Sequence, residues 1–116
     1  MSDRRFIIEM GMGNDLHGQD YTKAAGRAIE DAMRHSSIPM FPALGIDHAE
    51  MRVQVTLGVA RPERLNLEEL TKRLPRGRAT VTATRGGLDI VNPDSGDVTV
   101  IATAAIEAFL PDQSGR

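Results

Sequence analysis

Residues 4–33, RRFIIEMGMGNDLHGQDYTKAAGRAIEDAM, decide the first half of the fold. Residues 4–12 combine β-branched and aromatic types, which predicts a strand, and the glycine-rich segment Gly11–Gly18 predicts a loop after it. Asp20 is a typical residue to cap a helix. Apolar side chains then recur at helical spacing toward Ser36, at Tyr21, Ala24, Ala25, Ala28, Ile29, Ala32 and Met33. Since most of them are alanine, the helix is expected to pack closely against a neighbouring element.

The remainder of the chain divides at breaks in the hydrophobic pattern. The segments are an extended connector over 37–47, a half-buried strand over 51–59, a short helix over 67–74, a strand over 78–91 and a final strand over 98–110. Asn66 can cap the short helix. Gly86-Gly87 interrupts the strand over 78–91, and the turn over 92–97 is expected to join it to the final strand as a hairpin.

This order of elements predicts one α+β domain with β-α-β-α-β-β order over residues 1–110, followed by a mobile tail over 111–116. In the final strand, the side chains that point to both faces of the sheet are apolar. A domain of 116 residues rarely covers both faces of a sheet by itself. We therefore expect another subunit of a closed homo-oligomer to complete the sheet or the alanine-rich helix.

The composition excludes several classes of function. The chain has no cysteine, so it has no disulfide and no thiolate metal site, and a reducing compartment is expected. A net charge of −2 and an aromatic content of 3% argue against a nucleic-acid partner. No apolar run approaches the length of a membrane span. The sequence therefore predicts a soluble, cytoplasmic protein with no membrane partner.

The glycine-rich segment is the expected site of chemistry because it lies between a strand end and a helix N-terminus. Gly13-x-x-x-x-Gly18 has the spacing of a phosphate-binding loop, but Gln19-Asp20 stand where that loop needs Lys-Ser/Thr. Gly11-x-Gly13 lacks the third glycine of a dinucleotide-binding loop. Nucleotide binding is therefore the weakest of the functional interpretations.

A divalent metal such as zinc or manganese is a second interpretation. Asp15 and His17 are two residues apart, and an extended chain would place both side chains on one side. His48, or Asp47, is the candidate third ligand from the connector. Such a site would hold a phosphate oxygen or lower the pKa of a bound water.

Metal-free acid–base chemistry is a third interpretation. His17 would carry the proton, with Asp15, Glu9 or Asp20 orienting its ring. The competing structural interpretation is that Asn14 and Asp15 form Asx-turn hydrogen bonds, that His17 bonds the backbone at the helix start, and that the glycines only supply positive φ angles.

A small polar ligand at this segment would have a defined set of binding residues. The candidates are Gly11, Gly13, Gly18, Asp20, Lys23 and Arg85. Lys23 lies one turn into the helix, where it can meet an anionic group or pair with Asp20. Arg85, or Arg78, is expected to bind an anionic group from a neighbouring subunit.

The motif G-x-G-x-D-x-H-G at residues 11–18, with the flanking residues RRFIIEM and QDYTKAA, resembles that of a known family of small conserved hypothetical proteins. The resemblance covers nearly the whole chain and implies no particular activity. Gly13–His17 also resembles the G-x-D-x-H metal-ligand pair of methylerythritol cyclodiphosphate synthase, a trimeric zinc lyase. The order of elements is similar to that of the small trimeric chorismate mutases, which implies a trimer with active sites between subunits.

Two hypotheses of function follow. The first is a homo-oligomeric hydrolase, lyase or isomerase that acts on a small polar or anionic metabolite at Asp15 and His17. The second is a non-catalytic assembly protein that binds a metabolite or metal at the same segment and associates through its alanine-rich helix. They are distinguished by whether the polar side chains are free for a ligand or are used to cap the backbone.

Overall fold

The computed structural model describes residues 3–34, 52–74 and 78–111. The elements in chain order are β1 (Asp3–Asp15), α1 (Tyr21–Arg34), β2 (Arg52–Val59), α2 (Leu67–Lys72), β3 (Arg78–Arg85), β4 (Leu88–Val91) and β5 (Val98–Pro111). A 3₁₀ turn over Pro62–Arg64 precedes α2. The predicted α+β class and β-α-β-α-β-β order are confirmed, with the interrupted strand over 78–91 present as β3 and β4.

The strands form one mixed five-stranded sheet in the order β1-β5-β2-β3. The long strand β5 runs antiparallel to β1 on one side and to β2 on the other, while β2 and β3 are parallel. β4 pairs antiparallel with the first residues of β5, which confirms the predicted hairpin. The carboxyl ends of β1, β2 and β3 therefore lie at the same edge of the sheet, and the chain passes from β1 into α1 there.

Helix α1 covers one face of the sheet, and the core lies between them. On β2 the alternation of side chains is as predicted, with Val53, Val55 and Leu57 buried beneath the helix. The buried stripe of α1 is the expected one: Tyr21, Ala24, Ala25, Ala28, Ile29 and Ala32. No helix among the described residues has the length and apolar character that a membrane crossing requires.

Strand β1 is longer than the sequence predicts. The expected loop over Gly11–Gly18 is strand as far as Asp15, and Gly11 and Gly13 pair in register with Ala104 and Ala102 of β5. A Cβ atom on Gly11 would lie 2.5 Å from the Ala28 carbonyl oxygen. These glycines therefore let α1 lie directly on the strand, and the alanine stripe of the helix completes the close approach.

Other boundaries also differ from the prediction. α2 ends at Lys72 rather than at residue 74, and the backbone N–H of Arg73 closes its last turn. Residue 36, where the sequence predicts that the first helix ends, the connector over 37–47 and the tail over 112–116 lie outside the described residues. Pro111, which the sequence assigned to the tail, is the last residue of β5.

The sheet surface opposite α1, here named the open face, is not covered by any described residue. Five large apolar side chains on it are at least 43% exposed: Ile8, Met10 and Met12 of β1, and Leu88 and Ile90 of β4. On β5, Ile101 and Ala105 lie between these two groups and are half-buried. Helix α1 thus covers one face of β5. The cover that the sequence predicts for the other face is not α1.

Candidate functional site

Asp15, the motif aspartate, ends β1 with a side chain that is buried beneath the turn into α1. The residue is only 2% exposed. Its Oδ2 accepts a hydrogen bond from the backbone N–H of Asp20 at 2.9 Å, and its Oδ1 lies 3.5 Å from the Lys23 Nζ. A buried carboxylate is stabilised by such a donor and cation. Asp15 therefore joins the end of the strand to the first turn of the helix.

The turn between Asp15 and α1 uses two left-handed backbone conformations in succession. Gly18 has φ of 87° and Gln19 has φ of 50°. A residue with a side chain rarely adopts this region, and such outliers are concentrated at sites where the surrounding structure imposes them. The chain then enters α1, where Asp20 Oδ1 accepts from the Lys23 N–H at 3.0 Å, as predicted for the cap.

His17 is directed away from Asp15 toward the β4–β5 turn. Its Nδ1 lies 3.3 Å from Asp97 Oδ2, and its side chain is 79% exposed. Asp15 and His17 thus have different partners, and His48 and Asp47 lie outside the described residues. Within residues 3–34, 52–74 and 78–111, no group of three or more potential ligands is placed to hold a metal ion.

The structure brings together three polar residues that sequence analysis did not select. The Tyr21 hydroxyl donates a hydrogen bond to Asp89 Oδ2, and it accepts one from Gln19 Nε2 at 2.9 Å. Asp89 Oδ1 is buried and has no hydrogen-bond partner among the described residues. A buried polar atom without a partner is uncommon in native proteins, and it marks a position where a ligand or an ordered water can bind.

Asp15 on β1 and Asp89 on β4 lie on the two strands that flank β5, and they belong to the same site. Both pair in register with Val100, so their side chains project from the face that α1 covers. Two strand spacings place their Cα atoms about 10 Å apart. Tyr21 begins α1 between them, and the Arg64 guanidinium lies 5.3 Å from the centre of its ring. The site is therefore an acidic cluster flanked by Lys23 and Arg64.

One signal in the sequence marks this cluster. Asp89 is the only charged residue in the strand Leu88–Val91, where it alternates with exposed apolar side chains, and Tyr21 is the only tyrosine of the chain. Their contact joins residues 68 positions apart. No local pattern predicts such a pairing, because it depends on where the sheet places β4 relative to α1.

The remaining predicted site residues are dispersed. Glu9 lies six residues before Asp15 on β1, which corresponds to about 20 Å along a strand. Arg85 ends β3 at the other edge of the sheet, three strand spacings or about 14 Å from β1, and it is exposed. Gly11 and Gly13 face α1. Within one chain, only Gly18, Asp20 and Lys23 of the predicted binding residues lie at Asp15.

Comparison with known proteins supports the resemblance noted from the motif. A solved structure of a protein from Nostoc punctiforme PCC 73102, described as FtsZ-like and of unknown function, superposes with a TM-score of 0.83. The two sequences are 38% identical over 97% of this chain and 99% of the other. No curated protein matches the sequence significantly. The model of the Lin0512 family of conserved hypothetical proteins matches residues 5–108, and the chain belongs to this family.

Proposed function

We propose that the protein acts on a small polar or anionic metabolite at the Tyr21–Asp89 cluster by acid–base chemistry of the hydrolase, lyase or isomerase type. The observation that carries the proposal is the buried Asp89 Oδ1, which has no hydrogen-bond partner among the described residues. The other oxygen of this carboxylate is held by the Tyr21 hydroxyl. One oxygen is thus held by the protein, and the other is a buried acceptor whose missing donor would be a hydroxyl or amine of a ligand that enters the cluster.

The chemistry assigned to Asp89 is that of a general base. A positioned carboxylate that accepts a proton from the reacting group typically accelerates a reaction about 10²- to 10⁴-fold. The Tyr21 hydroxyl fixes the orientation of the carboxylate, and the Gln19 amide, which donates to Tyr21 at 2.9 Å, fixes the hydroxyl. The left-handed conformation of Gln19 is the local strain that brings its amide to this position.

An anionic group on the metabolite is supported by the cations beside the cluster. Lys23 has a half-exposed side chain on the first turn of α1, and Arg64 lies against the face of Tyr21. A ligand with one donor for Asp89 and one anionic group for these cations fits the charge arrangement.

The second candidate function is binding without catalysis, and the role of Asp15 favours it. This carboxylate, which the sequence predicts to be catalytic, is bonded to the Asp20 N–H and to Lys23. It holds the turn into α1 in place and has no oxygen left unbonded. A site in which the motif aspartate is structural needs only Asp89 and Tyr21 to recognise a ligand.

The test is a screen of hydroxy acids, amino acids, sugar phosphates and nucleosides by amide chemical shifts in NMR spectra. The expected ligand moves the amides of residues 19–21 and 89. It binds at least about 10-fold more weakly to Asp89→Asn, since a lost charge-assisted hydrogen bond is worth about 1.5–3 kcal/mol. Asp94→Asn, in the exposed β4–β5 turn, is the matched control and keeps the parent affinity.

The same samples distinguish catalysis from binding. Incubation with the ligand, followed by one-dimensional NMR spectra, shows product with the parent protein and none with Asp89→Asn if Asp89 is a general base. Unchanged ligand in both samples supports the binding protein. Equal affinity of Asp89→Asn and the parent contradicts both candidates.

A further inference from the structure

We infer that the open face of the sheet is the contact surface of a two-fold homodimer in which a second copy of the chain packs face to face. Among the described residues, seven large apolar side chains are exposed, and five of them lie on this face. The other two are Leu16, in the turn after β1, and Val91, whose side chain projects from the opposite side of β4. Exposed apolar groups are therefore concentrated on one surface.

The apolar side chains of the open face lie on three neighbouring strands. Ile8, Met10 and Met12 follow one another along β1 at every second residue. In the neighbouring strand, Ala105 pairs in register with Met10, and Ile101 pairs with Leu88 of β4 on its other side. The patch thus extends from the edge strand β1 across β5 to β4, with the exposed Thr103, the partner of Met12, between Ile101 and Ala105.

The charged residues of the open face lie at one end of the patch. Arg5 forms an ion pair with Glu107 at 3.3 Å, and the Arg52 guanidinium lies 4.0 Å from the centre of the Phe109 ring. These residues come from the start of β1, the start of β2 and the end of β5. An apolar centre with a polar margin is the usual anatomy of a protein–protein interface.

The size of the patch suits a second copy. Five side chains that each expose roughly 100 Å² contribute about 500 Å² per chain, and two copies bury about 1,000 Å², the lower limit for a specific interface. A smaller contact would not hold a stable dimer. The flexible side chains of Met10 and Met12 can interdigitate with their symmetry mates, since methionine fills irregular gaps.

Edge-to-edge association of two sheets through β1 is opposed by side chains of α1. The outward N–H of Met12 donates to Asp31 Oδ2 at 3.0 Å, and the outward carbonyl of Asn14 accepts from Arg27 Nη1 at 2.8 Å. Side chains that occupy these backbone groups prevent another strand from pairing there. The partner is therefore placed on the face of the sheet rather than at its edge.

This arrangement differs from the trimer implied by the resemblance to chorismate mutases. A patch that packs against its own copy forms an isologous contact, which closes with two subunits. It also differs from association through the alanine-rich helix, because the alanines of α1 are buried against the sheet of the same chain.

The test is the mass of the full chain in solution by light scattering after size-exclusion chromatography, between about 10 and 500 µM. The expected mass is twice the 12.6 kDa of one chain. Met10→Lys/Met12→Lys is expected to weaken the dimer at least about 100-fold, since central contacts dominate interface energy. Ile90→Lys, on another strand of the patch, weakens it as well. Val91→Lys, an exposed apolar residue whose side chain projects from the opposite side of β4, leaves the dimer intact.

Far-UV circular dichroism verifies that each variant is folded, which is expected because Met10 and Met12 are 69% and 61% exposed in one chain. A monomeric parent protein at 500 µM overturns the proposal. A trimer, or a dimer that withstands the substitutions on β1 and β4, overturns it as well.

Discussion

Replacing either of the first two motif glycines by alanine tests whether they serve the fold or a ligand. A Cβ on Gly11 would lie 2.5 Å from the carbonyl oxygen of Ala28, and one on Gly13 would lie 2.5 Å from that of Ala24. Both neighbours are backbone atoms of α1, so the helix must move by several tenths of an ångström or more. Overpacking of this kind costs about 1–3 kcal/mol.

An opposing contribution comes from the unfolded chain. Neither glycine has a positive φ angle, so alanine would stabilise the protein by about 0.4–1 kcal/mol if it fitted. The expected net loss is therefore about 1–2 kcal/mol for Gly11→Ala and for Gly13→Ala, which corresponds to a decrease in Tm of about 5–10 °C for a domain of this size. The double variant loses less than the sum, because both substitutions displace the same helix.

Urea unfolding followed by circular dichroism measures these losses at one fixed protein concentration. Gly26→Ala is the matched control, since its Cβ would meet the guanidinium of Arg73, which is the end of a flexible side chain. Alanine within a helix is favoured over glycine by up to about 1 kcal/mol, so this variant is expected to be as stable as the parent or more stable. Parent-like stability of Gly11→Ala and Gly13→Ala would refute the packing role and return these glycines to the list of ligand-binding candidates.

Three further predictions concern the polar residues. Tyr21→Phe is expected to lower the free energy of unfolding by about 1–3 kcal/mol, because Asp89 loses its donor. Adding Asp89→Val should restore most of this loss in a double-mutant cycle measured by urea unfolding. A double variant that is no more stable than Tyr21→Phe would contradict this pairing. Asp15→Ala is expected to lower the free energy of unfolding by about 1–3 kcal/mol in the same assay. Asp15→Asn should lower it less, since an amide oxygen still accepts from the Asp20 N–H. Similar losses for the two variants would argue against that hydrogen bond. His17→Ala should change stability by less than about 0.5 kcal/mol in thermal unfolding, because its side chain is mostly exposed, and a larger effect would show that its contact with Asp97 is structural.

The amino-acid pattern was sufficient to predict where most elements lie. The alternation of apolar and polar residues in β2, the Gly86-Gly87 break and the caps Asp20 and Asn66 are local signals, and the structure has each of them in its expected place. Local signals succeed because side-chain periodicity and capping depend on residues only a few positions apart. The same reasoning failed for Gly11 and Gly13, where glycine was interpreted as loop.

Tertiary structure decided the role of the motif and the composition of the site. The strand β1 continues through Gly11 and Gly13 because β5 pairs with it and α1 packs over it, and neither interaction is visible in the residues of β1 alone. The pairing of Tyr21 with Asp89 likewise requires β4 to join β5 beside the start of α1. The sequence by itself determined the elements, their order and the polar segment between β1 and α1. Which side chains meet there was decided by sheet register, because register sets the neighbours of residues that are far apart in the chain.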